Sequence, residues 1–151
     1  LDILPLSFVN IGWYSFNGGS AFKANNIAAL ALFNTQISAC TALITWVILS
    51  YILNRNIPLT GAMSGVMAGL AGVTPGEIIA PHNYCAIFLE FNIIASGYVD
   101  TQTAFITGIF AAFFAFWTIR FLGRFHVDDV LDVFALQAVP GLTGTCSSPL
   151  A

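Results

Sequence analysis

The chain has 151 residues, 58% of them hydrophobic and only 7% charged, against about 25% charged in an ordinary soluble domain. Four cations and seven anions, a net charge of −3, cannot coat a soluble globule, and mean hydropathy is +0.86. These figures exclude a soluble enzyme, a disordered chain and a nucleic-acid binder, since four scattered cations make no basic stripe.

Charge-free stretches set the predicted elements. Thirty-one residues separate Lys23 from Arg55, 21 separate Arg55 from Glu77, and 19 separate Asp100 from Arg120. About 20 apolar residues at 1.5 Å each cross the ~30 Å of bilayer hydrocarbon. The reading is an all-α, polytopic transmembrane bundle of about five helices. They fall near Ile3–Phe22, near Ile27–Leu53, from about Leu59, near Thr101–Leu122, and from about Asp132 to the end. The chain opens LDILPL, without Met or a basic leader, so it is expected to be a piece of something longer. Cys40, Cys85 and Cys146 form no CxxC pair and no metal-ligand spacing. They are expected to be small buried residues rather than a disulfide framework or metal site.

The first helix carries GWYSFNGGS. Trp13, Phe16, Asn17 and Ser20 recur at i, i+3, i+4 and i+7, on one face. An amide and a hydroxyl at that depth face either a wet cavity or a neighbouring helix as hydrogen-bond glue. The third helix, GAMSGVMAGLAGVTP, repeats Gly61, Gly65 and Gly69, which predicts a close helix–helix packing face or a small-residue pore wall. FAAFFAFWTIRF in the fourth reads as lipid-facing or interhelical bulk, with Trp117 near an interface. If the second, third and fourth helices each cross once, Arg55, Arg120 and Arg124 share one side, which is then cytoplasmic, with Lys23 opposite. One extra crossing between the third and fourth would separate them. The acidic group Asp128, Asp129 and Asp132 precedes the last helix, either capping its positive end or marking a helix entrance at the membrane surface. Gln137 lies inside that helix and needs a partner or a cavity.

Taken in order, GWYSFNGGSA, NNIAALALFNTQISACTALITW, GAMSGVMAGLAGVTP and DDVLDVFALQAVPGLTG resemble the second half of the ammonium transporter (Amt/Mep/Rh) family, over residues 4–75 and about 95–145. The resemblance implies part of an eleven-helix, pseudo-symmetric fold that forms homotrimers in the plasma membrane, with one hydrophobic pore per subunit. It implies ammonium or ammonia as substrate, no cofactor, and no enzyme activity. By match to the family's GWFGFNxGS motif, Phe16 stands at the second gating phenylalanine, Ser20 at the recruitment hydroxyl and Trp13 at a pore-lining tryptophan. Thr74 stands at a threonine near the pore wall. A cation over an aromatic face gains ~0.5–2 kcal/mol, whereas a bare charge at mid-bilayer is expensive. Recruiting the cation outside and passing a neutral amine inside reconciles the two.

Two departures stand out. Gln137 occupies the position of the family's second pore histidine, and the first histidine belongs to the absent half. This suggests a non-conducting ammonium sensor as the alternative within the class. A structural bundle subunit without a pore is the alternative outside it. Second, residues 76–94 interrupt the string that otherwise reads VTPASGYV. Leu59–Pro75 gives 17 residues, about 26 Å, and joining Ala95–Val99 gives 22 residues, about 33 Å, enough to span. Residues 76–94 are therefore expected to be an insertion or a translated intron, the alternative being a real re-entrant or extracellular loop. Gly76-Glu77 can be encoded with a GTGAG donor and Ile94-Ala95 with an AG acceptor.

Overall fold

A computed structural model describes residues 3–74, 100–125, 129 and 131–147. They form α1 (Ile3–Gly19), α2 (Asn26–Asn54), α3 (Leu59–Val73) and α4 (Thr101–Arg124), then a π-helical run (Phe134–Ala138) continuing into α5 (Val139–Ser147). No strand occurs among the described residues. The helix ends follow local chemistry. Asn25 caps α2 by accepting the Ala28 N–H at 3.0 Å, and Asp100 caps α4 by accepting the Thr101 N–H at 2.9 Å. α1 stops at Gly19 rather than Phe22, because Gly18 and Gly19 each cost about 1 kcal/mol of helix propensity. Arg55 turns α2 off in the left-handed region at φ 55°.

The bundle is built for lipid. Its buried positions on α2 include Ala31, Thr35, Ser38, Ala39, Thr41 and Ala42, and on α4 Ala104, Thr107, Gly108, Ala111, Ala112 and Ala115. Large apolar residues such as Phe33, Ile44, Ile48, Phe105, Phe110 and Phe114 point outward. In water the large side chains would be inside. In a bilayer the outside is already apolar, so small residues take the contacts and let backbones approach. α2 and α4 are also long and apolar enough to cross a membrane. This is an integral membrane helical bundle.

The glycine stripe of α3 is a packing face. A side-chain carbon on Gly65 would lie 2.7 Å from the Trp46 Cβ, and one on Gly69 would lie 2.5 Å from the Ser38 carbonyl oxygen. Ser38 Oγ donates to the Gly69 carbonyl at 2.8 Å across the same contact. Gly108 brings α4 equally close to Ser38 on α2. Leu136, Trp46 and Phe116 fill the space between these contacts, with the Trp46 and Phe116 rings edge to face at 5.2 Å. The aromatic run of α4 thus divides: Phe116 is interhelical, whereas Phe113, Phe114 and Trp117 face outward.

Two bonds fix direction. Thr101 at the start of α4 donates to Asn34 near the start of α2 at 3.3 Å, and Arg120 Nη2 donates to Asn54 at the end of α2 at 2.5 Å. α2 and α4 run parallel and in direct contact, and α3 runs back antiparallel against both. Arg55, Arg120 and Arg124 therefore lie at one end of the bundle, as the simple crossing count expects. Residues 76–94 lie outside the described residues. The cysteine reading needs a correction. Cys40 is exposed, because it falls on the outer face of α2, where it accepts from Gln36 Nε2 at 3.0 Å. Cys85 and the Cys146 side chain lie outside the described part.

Candidate substrate path

α1 projects its polar face onto α2 and α3. Trp13 Nε1 donates to Thr74 Oγ1 at 2.8 Å, and Thr74 Oγ1 donates in turn to the Leu70 carbonyl at 2.8 Å. Two residues 61 positions apart, each picked out by sequence, are thus in direct contact. One helical turn along, Asn17 is 1% exposed and its Nδ2 donates to Thr35 Oγ1 at 3.0 Å. Its Oδ1 is buried with no hydrogen-bond partner. Leaving a buried acceptor unsatisfied costs about 1–3 kcal/mol, so such atoms mark positions where a polar guest would be welcome.

Phe16 and Ser20 sit nearer the end of α1. Phe16 is 57% exposed, and Ser20 Oγ donates to the Phe16 carbonyl at 2.9 Å. Donating leaves the hydroxyl oxygen its lone pairs for a cation. Phe16 and Ser20 are one helical turn apart and follow Trp13 along the chain.

Gln137 lies in the π-helical run beside Leu136, which is buried in the core. It is half-buried and finds no hydrogen-bond partner among the described residues. The structure shows no bond between it and Trp13 or Thr74. π-bulges occur disproportionately at functional positions.

The acidic residues separate. Asp128 lies outside the described residues. Asp129 is spent on capping: its carboxylate accepts the Val133 N–H at 3.1 Å and the Phe134 N–H at 2.9 Å. Asp132 takes the left-handed conformation at φ 51°. Burial, and then the neighbouring Asp129 carboxylate, push Asp132 above the ordinary carboxylate range. A carboxyl whose pKa is raised by folding contributes stability that is complete below the unfolded value and is lost as pH rises through the folded one. Asn accepts the same backbone conformation without the charge. Asp132→Asn should therefore raise the thermal midpoint of the detergent-solubilised complete protein slightly at neutral pH, and the gain should vanish in acid. A drop at neutral pH would show that the charge is used.

Sequence reasoning missed Asn10. Its Oδ1 is also buried without a partner. Its spacing of three from Trp13 and seven from Asn17 places it on the same face, so the helical periodicity could have found it. Thr35, Asn17's partner, carried no such signal, because it lies in an uninterrupted run on another helix. No His, Cys, Asp or Glu group able to hold a metal occurs among the described residues.

Residues 3–88 and 94–150 match the Ammonium Transporter Family. A putative ammonium transporter from Methanothermobacter thermautotrophicus is 34% identical over 95% of this chain and 31% of its own length. Ammonium transporter 2 of Schizosaccharomyces pombe is 33% identical over 95% of this chain and 24% of its own length. Among solved structures, Mep2 from Saccharomyces cerevisiae superposes with a TM-score of 0.77 at 26% identity, covering 95% of this chain and 28% of that one. Mep2 from Candida albicans gives 0.76 at 28% identity, covering 94% and 27%. The chain thus spans a quarter to a third of the length of its relatives, which are transporters by name rather than enzymes. With its small-residue core, its outward apolar rings and its polar α1 face, the chain belongs to the ammonium transporter family.

Proposed function

We propose that this chain forms one wall of a hydrophobic pore that carries ammonium or ammonia across a membrane. The observation that carries the reading is the polar face of α1. Trp13 is bonded to Thr74 across to α3, and Asn17 beside it holds an unpartnered buried oxygen. Polar groups at that depth serve a pathway or a bundle interior, and this one leaves an acceptor open. Phe16 and Ser20 are the entrance, where a cation meets a ring and a hydroxyl. Trp13, Asn17 and Thr74 line the path, and Gln137 stands where a proton-exchanging ring belongs. The complete protein is a homotrimer of the plasma membrane, with Arg55, Arg120 and Arg124 on the cytoplasmic side.

Trp13→Phe tests the wall. It keeps the aromatic face and removes the N–H, at a cost near 1 kcal/mol of net hydrogen bonding. The complete protein, expressed in cells lacking their own ammonium transporters, should then take up methylammonium more slowly while assembling normally. Unchanged uptake would reduce the Trp13–Thr74 bond to packing.

Residues 76–94, of which only 89–93 fall outside the family match, are proposed to be foreign to the folded protein, as an insertion or a retained intron. Sequencing genomic DNA and mature transcript across this region decides between them. A transcript without these 57 nucleotides, 19 codons, supports the intron. Universal retention without donor and acceptor signals contradicts it.

A further inference from the structure

Pro140 is the second residue of α5, two residues past the end of the π-helical run that continues into it, and is fully buried. Proline has no N–H for the carbonyl four residues earlier, here that of Leu136, and its ring collides with that carbonyl in a regular α-helix. The helix changes register just upstream. Leu136 N–H still donates four residues back to the Asp132 carbonyl at 2.8 Å, but Val139 N–H reaches five residues back to Phe134. The wider turn amounts to one residue of slack, confined to Phe134–Ala138, and Gln137 lies within it.

Both flanks of that slack are tied down. Upstream, the Asp129 carboxylate holds the N–H groups of Val133 and Phe134. Downstream, Gly144 packs directly on the Gly72 carbonyl of α3. Without the extra residue, an α-helix could satisfy one flank only. The other would turn by one residue, about 100°, and Gln137 between them would turn by part of that.

We infer that Pro140 is a positioning residue: by forbidding the regular α register it holds the π-helical run that aims Gln137 away from the packed core. The inference rests on the proposal that Gln137 lines the substrate path. Its prolyl ring touches no substrate. It acts only through the backbone that carries the amide.

The test is the reactivity of single thiols in the complete protein, with Cys40, Cys85 and Cys146 replaced by serine. Leu136→Cys, Gln137→Cys and Ala138→Cys are each made with Pro140 present and with Pro140→Ala. A small polar thiol reagent is applied with and without methylammonium. With Pro140, the thiol at 137 should be modified and methylammonium should protect it. With Pro140→Ala, protected modification should be lost at 137 and appear at 136 or 138, with the trimer intact by size exclusion. An unchanged pattern overturns the positioning role while leaving Gln137 in the path. An unreactive thiol at 137 with Pro140 present takes Gln137 out of the path altogether, and the positioning role with it. Should Pro140→Ala fail to assemble, Pro140→Gly restores the same N–H and gives the same reading. A merely structural proline would change yield and leave the pattern of protected positions where it is.

Discussion

Methylammonium uptake should rise when Gln137 is replaced by histidine in the complete protein. A glutamine amide offers a carbonyl acceptor and two N–H donors but does not titrate. It can hold a file of polar molecules and cannot relay a proton. An imidazole, with an unperturbed pKa of ~6.5, exchanges protons near neutrality. A positioned donor and acceptor is typically worth about 10²-fold or more in rate, which sets the scale of the expected gain. Gln137 is half-buried, and the change breaks no hydrogen bond among the described residues. Uptake is measured in cells lacking their own ammonium transporters, at matched expression. A glutamine form that already transports as well as the histidine form would show that proton relay at this position is not required.

Phe16→Ala should change flux and spare the fold. The ring is 57% exposed, and substitutions at exposed positions away from caps and strained backbone usually cost within about 0.5 kcal/mol. Trimer assembly should be unaffected. If the ring attracts the cation, its loss removes ~0.5–2 kcal/mol, which corresponds to a rise of about two- to thirty-fold in the half-saturating methylammonium concentration. Flux curves with and without the ring, together with size exclusion of the solubilised protein, separate the roles. Unaltered flux with failed assembly would make this face a packing surface.

The helices were legible because lipid imposes a simple rule. A span must be long, uncharged and internally hydrogen-bonded, so the gaps between charged residues gave α2 and α4 almost to the residue. The glycine spacing of α3 was legible as close packing, though not which helix it meets. That depends on Trp46 and Ser38, which look like any other residues of an apolar run. The Trp13–Thr74 contact was legible only as two separate motif matches, because nothing in a sequence brings positions 61 residues apart together. Cys40 was misread because burial in a membrane bundle follows the helix face rather than side-chain apolarity. The acidic group read ambiguously because capping and an entrance use the same carboxylates, and only the two N–H contacts of Asp129 distinguish them. The π-helical run was not foreseen. The last helix reads as continuous from about Asp132, and a proline inside a span can kink, bulge or end a helix, so the choice depends on what anchors either side.

Influx of labelled methylammonium into proteoliposomes containing the purified complete protein measures pore conduction directly. Influx through the Gln137→His form should be saturable, should exceed that of the glutamine form, and should fall again when Trp13→Phe is added. Assembled histidine-form protein that admits no more methylammonium than protein-free vesicles would contradict a substrate path along α1 and Gln137.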